Sequence, residues 1–105
     1  MIDATTIARA VELLRQAAPR ATIILFGSYA RGDATEDSDL DFLVIEPEVQ
    51  DRRGEMVRLR DVLRPLRVPA DVLVASRRTF EHWADTPNTV LYEAAQEGKI
   101  FDGVK

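Results

Sequence analysis

Two short apolar runs limit the folding options of this chain more than anything else in it: Ala21–Phe26 (ATIILF) and Leu40–Ile45 (LDFLVI). The first is rich in β-branched residues and is bracketed by Pro19-Arg20 and Gly27, the pattern of a buried strand. In the second, Asp39, Asp41, Leu43 and Ile45 alternate with Leu40, Phe42 and Val44, and Pro47 stops the run. Apolar groups on both faces require cover on both sides, which places this strand centrally in a sheet.

The remaining periodicities are mostly helical. Ile7, Ala10, Val11, Leu14 and Ala18 follow helical spacing, with Thr5 or Asp3 as a cap and Pro19 as the stop. Gly27–Gly32 reads as a turn plus one helical turn, and Asp33–Ser38 as a loop. Met56, Leu59, Val62, Leu63 and Leu66 form an amphipathic stripe within a helix expected over Asp51–Leu66, followed by Pro69. Ala70–Ala75 is a third strand carrying Asp71. Ser76 caps a helix running through Trp83, Pro87 opens another to Gln96, Gly98 is its C-cap, and Lys99–Phe101 adds an edge strand. The order αβαβαβαα with a closing strand predicts a small α/β (α+β) domain with a mixed sheet.

At 105 residues there is material for one core, because a chain this size buries roughly 60–70% of its unfolded surface in a single one. Residues 1–105 are therefore read as one domain. No apolar run approaches the roughly 20 residues of a membrane span, and Met1-Ile2-Asp3 begins no signal peptide. With no cysteine, disulfides and thiolate metal sites are excluded, which fits a reducing cytoplasm. A net charge of −4 argues against a general nucleic-acid coat. The charge is nevertheless segregated: Asp33, Glu36, Asp37, Asp39 and Asp41 crowd together, and Arg52, Arg53, Arg58, Arg60, Arg64 and Arg67 crowd onto the next helix. Such a pair of clusters suits a metal-bound polyanion, although two solvated faces are the plainer explanation.

Asp39 and Asp41, two apart at the start of a strand, project the same way. Unpaired carboxylates that close repel one another unless a cation neutralises them, and hard oxygen donors suit Mg²⁺ or Mn²⁺. A bare Asp-x-Asp is more often a solvated turn cap. Gly27-Ser28 changes the balance: glycine after a buried strand lets a ligand approach the backbone, and the following free N–H groups attract phosphate. Gly-Ser, ten residues, then Asp-x-Asp, set in strand–turn–helix–strand context, arises by chance roughly once in a thousand chains of this length.

Gly27-Ser28-Tyr29-Ala30-Arg31-Gly32 followed by Ser38-Asp39-Leu40-Asp41 resembles the signature of the minimal nucleotidyltransferases (MNT), small members of the DNA polymerase β-like superfamily. Asp71 matches the place of that family's third carboxylate, and Glu97-Gly98 with Ile100-Phe101 resembles its ending. The resemblance implies the polymerase β-like fold and transfer of a nucleoside monophosphate to a hydroxyl. Asp39, Asp41 and Asp71 would hold two Mg²⁺ ions, Asp71 would favour loss of the hydroxyl proton, and Gly27 and Ser28 would hold the β and γ phosphates. Arg31 could add charge there or pair with Asp33 or Glu36. A free MNT domain also resembles the antitoxin of HEPN–MNT pairs, which implies AMP transfer from ATP to a tyrosine of a HEPN RNase toxin. Two alternatives stay open: an antitoxin acting by complex formation alone, and an enzyme modifying a small molecule.

Four further features carry less. His82 is expected to face solvent, and without a second histidine there is no His-based metal centre. Trp83 is expected in the core or at an interface, and Tyr29 against a helix. The arginine-rich helix could dock on an acidic partner or simply face water.

Overall fold

The computed structural model describes residues 1–102. Nine regular elements follow the expected order: α1 (Ala4–Ala17), β1 (Thr22–Phe26), α2 (Ser28–Arg31), β2 (Leu40–Glu46), α3 (Arg52–Val62), β3 (Ala70–Ser76), α4 (Arg77–Trp83), α5 (Val90–Glu97) and β4 (Lys99–Asp102), with a 3₁₀ turn at Arg64–Leu66 after α3. The sheet runs β3-β2-β1-β4. β2 is parallel to β3 and antiparallel to β1, and β4 closes the far edge antiparallel to β1. The fold is the expected small α/β domain with a mixed sheet.

Local chemistry sets the boundaries. Asp3, rather than Thr5, caps α1: its carboxylate accepts from the Thr6 amide at 2.8 Å. The helix stops before Pro19, as the residue preceding a proline avoids the helical region. The third helix ends four residues earlier than its apolar stripe suggests. Pro65 cannot donate to the carbonyl of Asp61 and its ring would clash there, so the chain tightens into the 3₁₀ turn and leaves through Arg67 at φ 57°. The fifth helix begins at Val90, not at Pro87. Pro87 and Asn88 form a turn instead, with Asn88 at φ 71°, and the Thr89 side chain caps the helix by accepting from the Tyr92 amide at 3.1 Å.

Strand alternation divides the core in two. On one face Ile23, Leu25, Phe42, Val44, Val72 and Val74 pack under α1 and α3, in a cluster of fourteen buried residues. On the other face Ile24, Phe26, Leu43, Ile45 and Ala75 meet Ala94 of α5, in a cluster of only six, with Leu73, Phe80 and Leu91 half-buried around it. Gly98 ends α5 in extended backbone rather than a left-handed cap. Glycine is needed there for space, since a Cβ would run into the Ile24 side chain and the Ala94 carbonyl. Trp83 is 44% exposed, which overturns a core role; His82 is exposed as expected and meets Trp83 edge-on. No helix of the described residues is long and apolar enough to cross a membrane.

Candidate active site

Asp41 and Asp71 come together because β2 and β3 are parallel and in register, with Asp41 opposite Asp71. Residues opposite one another in such a pair project from the same face of the sheet, with strands about 4.8 Å apart. That is the thinly covered face, since Leu43 and Leu73, two residues further along, both belong to the smaller cluster. Asp39 lies just before β2 and is exposed, Asp41 is half-buried, and Asp71 is exposed on the edge strand. Burial, reinforced by the charges of Asp71, Asp39 and Glu93, pushes the Asp41 carboxyl up. The acidic group thus includes Glu93 of α5, which no sequence motif marks.

β1 delivers the second half of the site. Phe26 pairs with Asp41 across the antiparallel ladder, so Gly27 emerges directly beside the Asp41 carboxylate. Gly27 adopts φ 78°, ψ −157°, a conformation open essentially to glycine alone, and a Cβ here would collide with the Asp41 carboxylate oxygen. In α2 the first intrahelical donors are Ala30 and Arg31, both to the Gly27 carbonyl at 3.1 and 3.0 Å, so the Ser28 and Tyr29 amides lie ahead of the helical ladder. Tyr29 itself turns away to pack against the larger core, and its hydroxyl accepts from the Ile2 amide at 3.0 Å. It serves packing, as expected, rather than the site.

Arg31 is committed to carboxylates. Its guanidinium lies 3.3 Å from each of Asp33, Glu93 and Glu97, and Glu36 is not a partner. The contact expected with Asp33 is present. The two from α5 were hidden in the sequence by more than sixty intervening residues. Glu93 and Glu97 are one helical turn apart and so share a face, which is the only local signal they give.

The three aspartates are not gathered into a ready-made cage: among the described residues, no group of three or more His, Cys, Asp or Glu side chains could hold a metal ion by itself. Asp41 is the half-buried member, and burial first, then the charges of Asp71, Asp39 and Glu93, raises its carboxyl. The donor chemistry still suits a hard cation such as Mg²⁺, which takes one or two carboxylates and completes its shell with substrate phosphate and water.

Comparison with known proteins fits this geometry. The model of the nucleotidyltransferase domain family matches residues 7–99, nearly the whole chain. The chain belongs to the nucleotidyltransferase domain family. Two Methanocaldococcus jannaschii proteins, provisionally named protein adenylyltransferases, are similar over shorter stretches. One is 54% identical over 43 residues, which is 40% of this chain and 29% of that protein. The other is 74% identical over 23 residues, 22% of this chain and 23% of that protein. The chain thus aligns with less than a third of the length of these relatives. Among solved structures, a chain of the MntA–HpeT toxin–antitoxin complex superposes with a TM-score of 0.60 at 27% identity, covering all of this chain and 76% of that one. A Shewanella oneidensis complex of a tri-AMPylated HEPN toxin with its MNT antitoxin gives a TM-score of 0.51 at 25% identity, covering 91% of this chain and 68% of that one.

Proposed function

We propose that this nucleotidyltransferase domain is an antitoxin that transfers AMP from ATP to a tyrosine hydroxyl of a partner HEPN RNase, releasing pyrophosphate and silencing the toxin. The observation that carries this reading is the placement of Asp41 beside both Asp71 and Gly27, which puts a carboxylate pair next to free backbone donors on one face of the sheet. The tri-AMPylated HEPN toxin of the Shewanella oneidensis complex supports a HEPN toxin as the protein that receives AMP.

Ser28 and Tyr29 amides, with the Ser28 hydroxyl, donate hydrogen bonds to the β and γ phosphates, and Gly27 lets those oxygens approach the backbone. Asp39, Asp41 and Asp71 would hold Mg²⁺, or Mn²⁺ in its place. A cation held there would supply neutralisation of the charge on the phosphates and would make the acceptor hydroxyl more acidic. Asp71 orients the acceptor hydroxyl and takes its proton on a carboxylate oxygen. The acceptor oxygen forms a bond to the α-phosphorus, the bond from that phosphorus to the α–β bridging oxygen breaks, and pyrophosphate leaves with the electron pair. Arg31, held by Asp33, Glu93 and Glu97, ties α2 to α5 and contributes to the nucleotide site by steadying the phosphate loop.

The test is incubation of the purified chain with its cognate toxin, Mg²⁺ and α-labelled ATP. Label is expected on the toxin, with loss of its RNase activity, and neither with Asp41→Asn. A toxin left unlabelled yet fully inhibited by an Asp39→Asn/Asp41→Asn double variant would overturn transfer in favour of neutralisation by complex formation alone.

A further inference from the structure

The thin face of the sheet holds a second feature that the phosphate chemistry leaves unused. Two residues beyond the carboxylates, Leu43 and Leu73 form the floor of a 350 Å³ groove walled by Ala75, Trp83 and Val90, with Arg52 among its lining residues. Trp83 and Val90 are 44% and 46% exposed, large apolar groups left open to water at the groove. Isolated surface apolar groups are ordinary, but two that line one concavity above the buried Leu43 and half-buried Leu73 mark a binding surface. Arg52 is the only charged residue lining it. Its Nε donates to the Val74 carbonyl at 2.8 Å on the outer edge of β3, and among the described residues it has no ion-pair partner. The groove therefore asks for an apolar side chain with a carboxylate close by.

The groove's position says which reactant that is. In an in-line displacement the attacking oxygen enters opposite the leaving pyrophosphate. The pyrophosphate leaves toward Gly27 and Ser28, at the end of β1. The strand order β3-β2-β1 puts Asp71 on the opposite side, and the groove begins at Leu43 and Leu73, two residues further along β2 and β3 on the same face. The base and ribose of the nucleotide have no such constraint, whereas the acceptor does.

From this we infer that the groove formed by Leu43, Leu73, Trp83 and Val90 docks the acceptor polypeptide, taking an apolar side chain next to the modified tyrosine and pairing Arg52 with an acidic neighbour. The inference rests on the AMP-transfer reading for its choice of occupant, but its binding step can be measured without catalysis. Trp83 is the chain's only tryptophan, so its emission reports directly on the groove.

The probe is a blocked nonapeptide with a central tyrosine flanked by leucines and aspartates, titrated against the full chain. A saturable change in Trp83 emission is expected, persisting with Mg²⁺ and ATP present and in Asp41→Asn. Val90→Asp, at the first residue of α5 where a negative charge suits the helix end, should raise the peptide Kd about fivefold to tenfold, as should Arg52→Gln. Circular dichroism establishes that both variants are folded. Absence of a saturable response, competition by ATP, or a response indifferent to folded Val90→Asp would each overturn the groove. So would undiminished AMP transfer to the toxin by Val90→Asp, which would leave the transfer reading standing. A chain that binds the peptide at Trp83 but transfers no AMP would retain the docking groove and refute the transfer chemistry.

Discussion

The two faces of the sheet are built from the same four strands and do opposite work. One lies beneath α1 and α3 with Phe42, Val44 and Val74 essentially sealed from water. The other has two short helices over it, a cluster less than half the size, and carries Asp41 and Asp71 at one end of two of its strands. The contrast shows where stability is concentrated in a small domain. Apolar area buried on the thick face stabilises the fold by roughly 25 cal/mol per Å², which lets the thin face carry mutually repelling charges and open apolar groups.

Substitutions that act on one face and not the other sharpen this division. The largest effect on activity is expected from Asp41→Asn, with transfer falling about a thousandfold. Its stability effect has the opposite sign. A carboxyl pushed up in the folded state destabilises that state at neutral pH, so the neutral amide should leave the melting temperature unchanged or slightly higher without metal. Gross unfolding of this variant in a thermal melt would mean the aspartate is a structural element.

The adjacent pair Phe42 and Leu43 compares the faces most directly, since both are fully buried and point in opposite directions. Phe42→Ala should cost about 3–5 kcal/mol in denaturant melts, and Leu43→Ala about 2–3 kcal/mol, because the groove beside Leu43 admits water to the space left behind. Equal losses would break the comparison.

Gly27→Ala comes next. Its backbone conformation should cost about 1–3 kcal/mol, and the new methyl would displace the Asp41 carboxylate, so transfer should fall more steeply than stability. A parallel fall in both would remove the link between this glycine and the site.

A smaller, pH-dependent effect belongs to the far end of β2. Burial and the neighbouring Glu55 push the Glu46 carboxyl up to about 7, while Arg58 and Glu46 draw Glu55 down. One Glu46 carboxylate oxygen has no hydrogen-bond partner. Because the folded state holds the Glu46 proton more tightly, its contribution is fully present below about pH 4.5 and is lost as pH rises toward 7. Glu46→Gln should therefore raise the melting temperature at about pH 8 and change little at about pH 4. The reverse order would invert the assignment.

The smallest effect is expected from Arg31→Ala. Its three ion pairs are solvent-exposed, so the melting temperature should dip slightly at low salt and match the parent at about 0.5 M salt.

Much of the fold and part of the site were legible in the sequence, though the unequal cover of the two faces was not. Period-two alternation in Leu40–Ile45 announced a strand covered on both faces, and the Gly-Ser and Asp-x-Asp spacing located the end of β1 and the start of β2 before any coordinates. What alternation could not provide was register between strands. That Asp71 meets Asp41 rather than a neighbouring position depends on how β3 aligns with β2, a nonlocal packing outcome. The two glutamates holding Arg31 were invisible for the same reason. The overrun of the third helix had a different cause: the apolar stripe continues to Leu66, but Pro65 removes the amide that a helix would need, and local stereochemistry overrode periodicity. For Trp83 the sequence left core and interface open, because an aromatic residue's usual burial says nothing about which chain supplies the cover; its exposure excludes the core alone.

The alignment of Asp41 with Asp71 has a consequence for how such a site is inherited. Sliding β3 past β2 by a single residue would turn Asp71 inward among the aliphatic side chains beneath α1 and α3 and carry Val72 and Val74 to the thinly covered face. Register and interior are thus tied together: the one-residue slip that would part the two carboxylates would also bury one of them without a partner, so the packing of the core guards the alignment of the site.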